Sequence, residues 1–313
     1  MSATHESIAD IRTAGVIATA GNAFLATVKV AAGIISGSAA LLGDGIDSIG
    51  DVLIGAMTLV VARIISKPAD AEHPWGHGRA EAIATAALAF IIFFLGAQLA
   101  FNSAVSILSG EQPQAPTMLA VIITIVSIVG KIILARTQFF LGKRAGSAMI
   151  IANAKNMTGD VLMSIGVLVG LAISTLTGSG IADRVLAFFI GLWIVKTAIG
   201  IFMEANLELM DGNKDLAPYQ DIFDAVNSVE GAERPHHARM RSIGGFWDID
   251  LDIDVDPDLT VRQGHDIAIV VEHEIRERLE NIADIMIHIE PAGHDHDEVF
   301  GVSEETTATE DES

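Results

Sequence analysis

Residues 39–65 read AALLGDGIDSIGDVLIGAMTLVVARII, an apolar stretch long enough to cross a bilayer but interrupted by three carboxylates. Asp44, Asp47 and Asp51 are spaced three and four residues apart, so a helix places them on one face. A second apolar stretch contains Asn156 and Asp160, which share a helix face for the same reason. The sequence therefore predicts two membrane helices that each direct a row of oxygen atoms sideways.

These carboxylates need a partner inside the membrane. An ionised carboxylate at the bilayer centre costs roughly 2.5–3.5 kcal/mol even on insertion-based scales, so the side chains must face each other, water or a cation. Neither stretch offers a partnering Arg or Lys at matching depth. A divalent metal site is the favoured interpretation. The alternative is a set of buried carboxylates satisfied by neighbouring hydroxyl and backbone groups.

The composition divides the chain into a membrane half and a soluble half. Of the 313 residues, 50% are hydrophobic and the mean hydropathy is +0.46, yet the net charge is −21. The apolar stretches lie between residues 14 and 210, and most of the acid follows them. The acidic balance argues against a nucleic-acid partner and suits a high-salt cytoplasm. The absence of cysteine excludes disulfides and leaves carboxylate, amide and imidazole ligands, which suit hard or borderline cations.

Six stretches have the length and apolarity of transmembrane helices, at residues 14–36, 39–65, 80–108, 117–141, 147–177 and 182–206. Basic residues concentrate in the connections after the second and fourth stretches, so the positive-inside rule places both termini in the cytoplasm. We expect a cytoplasmic tail over residues 1–13 and a transmembrane domain over residues 14–210. Lys29, Lys131 and Arg136 lie within or near the ends of apolar stretches and are interpreted as snorkelling side chains or structural ion partners.

The connection after the second stretch carries a candidate second metal site. Asp70, His73 and His77 lie within eight residues, and Pro68 and Pro74 keep the loop out of a helix. Two imidazoles and a carboxylate suit a zinc-like ion. From the spacing alone, a solvated polar loop is an equally good interpretation.

The periodicity at residues 211–292 changes to that of a small soluble α+β domain. The pattern predicts an αββαβ order, as in ferredoxin-like or metallochaperone-like domains, with elements at residues 215–229, 235–242, 246–256, 260–280 and 284–290. The acidic residues 293–313 are expected to be disordered, although His294 and His296 within them are weak candidate metal ligands.

The strand predicted at residues 246–256 alternates between aliphatic residues and aspartates. One face carries Ile249, Leu251, Ile253 and Val255, so it is expected to be buried, and the other face carries five aspartates. This carboxylate ladder is interpreted as a solvated face or as a cation site completed by nearby side chains, which are His236, His237, His265, His288 or Glu290.

Taken together, these features resemble the cation diffusion facilitator family of divalent-metal efflux transporters. The resemblance covers residues 12–292 and includes the six spans, the acidic motif of the second span, the Asp/His loop and the αββαβ domain. It implies a membrane transport site with four ligands, which are Asp47, Asp51, Asn156 and Asp160. Asp44, one turn from Asp47, is expected to support that site without being one of the four.

The resemblance also implies two peripheral metal sites. Asp70, His73 and His77 match a loop zinc site of the family. In the cytoplasmic domain, His236, His265, His288 and Glu290 match metal ligands that help to hold two subunits together. Asp252 stands where a histidine is usual, so the metal of that domain is left open.

Asn156 separates this chain from zinc-transporting and iron-transporting members, which usually have histidine there. Three carboxylates and one amide form an all-oxygen site, which suits Mn²⁺ and lacks the imidazole that favours Zn²⁺. The chain therefore resembles the manganese branch, in which Asn or Asp is typical at this position. Zn²⁺, Fe²⁺, Cd²⁺ and Co²⁺ remain alternatives, because the affinity of a given site rises from Mn²⁺ towards the later metals.

The expected function is antiport, in which protons replace the exported metal on the carboxylates, without a phosphate-binding loop for ATP. A homodimer in the plasma membrane is expected, with metal ions, protons and lipid as partners and without a prosthetic group. The alternative from another class is a metal-sensing or scaffold homologue. A channel is disfavoured because the charges concentrate at one deep site, and an enzyme because the sequence offers no pair of nucleophile and base.

Overall fold

The computed structural model describes residues 2–65, 67–110, 113–145, 148–213, 216–243, 246–293 and 300–304. In chain order these residues form α1 (Ser2–Ser36), α2 (Ala39–Ile65), α3 (Ala80–Leu108), α4 (Met118–Ala145), α5 (Ala148–Thr177), α6 (Ile181–Leu209), α7 (Ala217–Asn227), β1 (Glu233–Ile243), β2 (Phe246–Val255), α8 (Val261–Arg278) and β3 (Ile282–Pro291). The chain divides into two compact units. A helical unit comprises Met1–Val61 and Ala84–Met203, and an α+β unit comprises Ala62–Ile83 and Glu204–Ser313.

Five of the long helices in the described part of the chain have the length and composition to cross a membrane. The segments are Thr13–Ser36, Ala80–Leu108, Met118–Arg144, Asn153–Thr177 and Ile181–Leu209. The second of the six predicted spans, α2, is not among these five segments. It carries Asp44, Asp47 and Asp51. The α1 helix begins at Ser2, so the polar residues of the expected N-terminal tail form its first turns. The cytoplasmic location of this tail stays a prediction.

The helical unit is held together by close packing of small and aliphatic side chains. Leu41, Leu171 and Ile194 belong to one buried cluster shared by α2, α5 and α6, and α4 packs against α1 and α5. At Gly45 the first two helices approach so closely that a Cβ would lie 2.7 Å from Val30 Cγ2. Many large apolar side chains on the helices remain exposed, as a lipid-facing surface requires.

A buried carboxylate fixes the start of α2. The Oδ1 atom of Asp183 accepts a hydrogen bond of 2.6 Å from the Ser38 hydroxyl, and its Oδ2 atom accepts one of 2.7 Å from the backbone N–H of Ala39. The backbone N–H of Ala40 also donates to Oδ1, at 3.3 Å. These donors are the free N–H groups and capping hydroxyl at a helix N-terminus, where the helix dipole favours a negative charge. Asp183 of α6 thereby holds in place the helix that carries the aspartate motif.

Loss of this cap should destabilise the protein. We expect Asp183→Ala to lower the free energy of unfolding by about 1–2 kcal/mol, because it leaves buried backbone donors without an acceptor. Asp183→Asn keeps one acceptor oxygen and should lose less. Thermal unfolding of the purified variants in detergent measures the difference, and equal melting temperatures for Asp183→Ala and wild type would contradict the capping role.

The α+β unit has the predicted αββαβ order. Its sheet has the strand order β1-β2-β3, with β1 antiparallel and β3 parallel to β2. The predicted buried face of β2 is confirmed, since Ile249, Leu251 and Ile253 are at most 1% exposed and pack in one core with Phe223 of α7 and Ile275 of α8. The two helices contact each other and the sheet, so this small core is continuous.

The described residues beyond the third strand include a short segment, 300–304, that contacts the sheet. Val302 pairs with Ala238 of β1 through two backbone hydrogen bonds of 3.0 and 2.9 Å. The ring of Phe300 stacks on His237 with a centroid distance of 3.9 Å. The disorder expected from residue 293 onwards stays a prediction, although these five residues contact the sheet. His294 and His296 lie outside the described residues.

Candidate metal sites

The four predicted transport ligands line one cavity in the helical unit. Asp47 and Asp51 reach it from α2, and Asn156 and Asp160 reach it from α5. The cavity has a volume of about 530 Å³, and its other lining residues are Gly159, Leu162, Met163, Trp193 and Thr197. The spacing of three and four residues explains the pairing within each helix, because such residues are neighbours on one face. The cavity thus combines three carboxylates and one amide with an otherwise mostly apolar wall.

A lysine from a third helix reaches the same carboxylates. The Nζ atom of Lys131, on α4, lies 2.8 Å from Asp160 Oδ2 and 3.5 Å from Asp51 Oδ2. Its side chain is 1% exposed. The interpretation of Lys131 as an ion partner is confirmed. Neither motif stretch supplies a basic partner, as expected, but α4 does, so the aspartates are not without a cation at their depth.

The charges of the cavity leave an excess of two negative charges when the three aspartates and Lys131 are all ionised. That excess equals the charge of one divalent cation. Asn156 adds a neutral carbonyl oxygen, which is a ligand for hard cations but does not bind or release a proton near neutral pH. The arrangement can therefore bind a divalent ion without creating net charge inside the membrane.

Asp44 takes part in a separate, fully buried network beside the site. Its Oδ2 atom lies 3.0 Å from Lys29 Nζ of α1, and both side chains are 1% exposed. The Lys29 ammonium also donates to the hydroxyls of Ser48 and Ser164, and the Ser164 hydroxyl donates to Asp44 at 3.0 Å. Asp44 does not line the cavity. Its geometry is that of a residue that joins α1, α2 and α5, in keeping with the predicted supporting role.

The loop residues predicted to form a second site are close together. Each of Asp70, His73 and His77 offers one ligand atom, and these atoms lie within 4.8 Å of one another. The Oδ1 atom of Asp70 accepts hydrogen bonds from the backbone N–H groups of His73 (2.7 Å) and Glu72 (3.0 Å). The bond from His73 is the main reason that the pKa of Asp70 lies below its usual value. Asp70 is therefore an ionised carboxylate beside two imidazoles at neutral pH.

The candidate ligands of the α+β unit lie on neighbouring strands. His236 of β1 is paired in register with Asp252 of β2, which is paired with His288 of β3. His236 Nε2 lies 3.1 Å from Glu290 Oε2, and His288 Nδ1 lies 3.5 Å from Glu290 Oε1. Strand order and register therefore bring together four of the five predicted residues. His265, on α8, is exposed and belongs to none of the metal-binding groups found among the described residues.

Two further residues complete these groups. His237 Nδ1 lies 2.9 Å from Asp252 Oδ2. In a second group, a carboxylate oxygen of Asp254 lies within 4.8 Å of the His236 imidazole nitrogen and of the Glu290 carboxylate oxygen. Adjacent residues of a regular strand point to opposite faces, but β1 is irregular between His236 and Arg239, and His237 has a φ of 50°. This irregularity lets both imidazoles reach carboxylates, which alternation alone does not predict.

Three other aspartates of the carboxylate ladder, Asp248, Asp250 and Asp254, lie within 4 Å of arginines of β1 and are not simply solvated. Arg241 donates to Asp248 at 2.5 and 2.7 Å, and Arg234 Nε lies 2.9 Å from Asp254. These ion pairs lie on either side of Asp252, whose partners are His237 and His288.

Comparison with known proteins agrees with this architecture. Residues 15–210 match the family described as "Cation efflux transmembrane domain", and residues 215–292 match "Cation efflux protein, cytoplasmic domain". The manganese efflux system protein MneS of Bacillus subtilis (strain 168) is 33% identical over 270 residues, which cover 85% of this chain and 91% of MneS. The manganese efflux system protein MneP of the same strain is 29% identical over 297 residues, which cover 93% of this chain and 99% of MneP.

A third relative carries a less specific description. The cation-efflux pump FieF of Escherichia coli O139:H28 (strain E24377A / ETEC) is 32% identical over 279 residues, which cover 89% of this chain and 92% of the pump. All three alignments extend over most of both proteins, and the transmembrane match alone spans more than half of the chain. The chain therefore belongs to the cation efflux family, also called the cation diffusion facilitators, and is an integral membrane transporter of divalent cations.

Proposed function

We propose that this transporter exports Mn²⁺ from the cytoplasm in exchange for protons, with Asp47, Asp51, Asn156 and Asp160 as the ligands of the transported ion. The observation that carries the proposal is the cavity between α2 and α5, whose lining offers three carboxylates and one amide but contains no imidazole. Oxygen ligands suit Mn²⁺, whereas imidazole suits Zn²⁺ and Fe²⁺. The similarity to two proteins named as manganese efflux systems supports the same ion.

Exchange with protons follows from the chemistry of the ligands. A carboxylate binds either a metal ion or a proton, so the two compete for the same oxygen atoms. A proton gradient directed inwards then favours protonation after release of the metal outside and deprotonation on the cytoplasmic side. Asn156 does not titrate, so the coupling rests on the three aspartates.

The membrane arrangement belongs to the same proposal. The α2 helix also crosses the membrane and brings the number of spans to six. Its aspartates are tolerated because they face the cavity, Lys29 and Lys131. Both termini lie in the cytoplasm, the membrane is the plasma membrane, and the chain acts as a homodimer through its cytoplasmic domain. The clusters of the loop (Asp70, His73 and His77) and of the sheet (His236, Asp252, His288 and Glu290, without His265) bind divalent ions that are not transported.

Exchange of one side chain tests the choice of metal. Asn156→His restores an imidazole to the site and should raise Zn²⁺ transport relative to Mn²⁺ by about tenfold or more, since imidazole is the better zinc ligand. Uptake of each ion into proteoliposomes with an imposed pH gradient measures the ratio. Asn156→Asp is the matched control, because it keeps an all-oxygen site and should keep the preference for Mn²⁺.

The outcomes separate the alternatives. A wild type that already transports Zn²⁺ or Fe²⁺ in preference to Mn²⁺ would contradict the manganese assignment and leave divalent-cation efflux intact. Flux that ignores the pH gradient would contradict proton exchange. Metal binding without any flux would favour a metal-sensing or scaffold role.

A further inference from the structure

Lys131 contacts two residues of the proposed transport site, and the proposed mechanism does not explain its role. Its ammonium group is buried and lies 2.8 Å from Asp160 and 3.5 Å from Asp51. These two aspartates come from different helices, so the ammonium joins α2 and α5 through a side chain of α4. Among the described residues, the ligand atoms of Asp47, Asp51 and Asp160 do not form a group within 4.8 Å.

We propose that Lys131 is a tethered counter-cation of the transport site: its ammonium holds Asp51 and Asp160 until a divalent ion takes its place, and it thereby excludes monovalent cations. The inference rests on the proposed function of the site. It adds a specificity-determining residue that is not itself a metal ligand.

The charge of the incoming ion decides the competition. The ammonium is attached to the protein, so its effective concentration at the carboxylates is high and does not fall when the solution is dilute. A Na⁺ or K⁺ ion has the same charge as the ammonium, so its Coulomb attraction to the carboxylates is no stronger than that of the ammonium it would replace. A divalent ion interacts twice as strongly with each carboxylate and can replace the ammonium.

The occupied site explains why a lysine is suitable in this position. Three carboxylates, one divalent ion and one nearby ammonium are together neutral, which a low-dielectric environment favours. Without Lys131, the same site would retain one negative charge when loaded and three when empty. It would then bind divalent ions more tightly, release them more slowly and attract monovalent cations.

The other buried lysine of the helical unit shows what distinguishes Lys131. Lys29 is equally buried, but its partner Asp44 does not line the cavity and its other contacts are serine hydroxyls. Lys29 therefore joins helices without meeting the transported ion. The Lys131 ammonium lies within 4 Å of the carboxylates of two cavity residues, so any ion that binds these carboxylates must alter its contacts.

The test compares Lys131→Met with wild type and with Lys196→Met. Lys196, on α6, is an exposed cation that lies over the ring of Trp193, and its replacement controls for loss of a nearby positive charge. Mn²⁺ binding is titrated by calorimetry on the full-length protein in detergent. The heat that remains in Asp160→Ala is subtracted as the signal of the loop and cytoplasmic clusters.

We expect Lys131→Met to lower the Kd for Mn²⁺ by about tenfold or more, and Lys196→Met to leave it within about twofold of wild type. In the methionine variant at position 131, replacing N-methylglucamine chloride with NaCl at constant ionic strength should weaken Mn²⁺ binding. Wild type should not distinguish the two salts. In proteoliposomes the variant should combine a lower KM with a lower kcat.

An unchanged or higher Kd for Mn²⁺ in a folded Lys131→Met protein would overturn the inference while leaving the transport site intact. Mn²⁺ binding by this variant that is as insensitive to Na⁺ as in wild type would do the same. A wild type whose Mn²⁺ binding equals that of Asp160→Ala would instead contradict the proposed site. If Lys131→Met unfolds without metal, the melting temperatures of Lys131→Met and Lys131→Gln are both measured with and without Mn²⁺. A larger stabilisation by Mn²⁺ than in wild type supports the inference, and no stabilisation overturns it.

Discussion

Metal flux should fall about a hundredfold or more when Asp160 is replaced by alanine, because even outer partners of a metal site typically contribute about 10–100-fold. Asp160 is one of three carboxylates in the cavity and the nearer partner of Lys131. Its removal takes away a proposed ligand and reduces the negative charge that attracts a divalent ion. Flux of Mn²⁺ into proteoliposomes under a pH gradient measures the loss.

The protein should remain folded in this variant, because Lys131 keeps a second partner in Asp51. Size-exclusion chromatography and thermal unfolding check this point. Leu162→Ala is the matched control, since Leu162 lines the same cavity without offering a ligand and should retain most of the flux. Full flux in folded Asp160→Ala would show that the ion crosses elsewhere. If Asp160→Ala aggregates, Asp160→Asn tests the loss of the same negative charge with a side chain of nearly the same shape.

Replacement of Asp44 by alanine should have the largest effect on stability. It leaves the Lys29 ammonium buried without its carboxylate, and the loss of one member of a buried ion pair typically costs about 3–5 kcal/mol. The two serine hydroxyls that remain near Lys29 are neutral and cannot compensate the charge. Thermal unfolding in detergent measures the change in melting temperature.

A double variant separates charge from packing. Lys29→Met combined with Asp44→Leu removes both charges and replaces them with apolar side chains, so it should recover most of the stability lost by Asp44→Ala. A double variant as unstable as the single one would contradict the ion-pair explanation. Flux lost in Asp44→Ala without any loss of stability would instead make Asp44 a ligand of the transported ion.

Local patterns in the sequence were sufficient for the elements and for the four cavity residues. Apolar length predicts the long helices, and alternation predicts the buried face of β2, because both depend on residues that are neighbours along one element. The same locality explains why Asp47 and Asp51, or Asn156 and Asp160, were correctly expected on one face. Asp70, His73 and His77 were likewise found together within a single loop.

Contacts between elements did not follow from these patterns. The β1 irregularity at His237 adds a candidate ligand to the sheet cluster, whereas His265 lies on α8 and belongs to none of the metal-binding groups among the described residues. Val302 pairs with β1 although its acidic surroundings predicted disorder. A signal for Lys131 was present, since a lysine deep in an apolar stretch needs an anion, but residue spacing does not show which helix supplies that anion.

The sequence by itself determined the long apolar helices, the αββαβ domain and the oxygen-bearing side chains of the cavity, since each depends on spacing and side-chain chemistry within single elements. Only the tertiary structure decided which charges meet. Lys131 comes from α4 to Asp51 and Asp160, and Lys29 comes from α1 to Asp44. The physical reason is that an ion pair forms over about 3 Å in space. The packing of helices far apart in the chain sets that distance, and residue spacing within a helix does not.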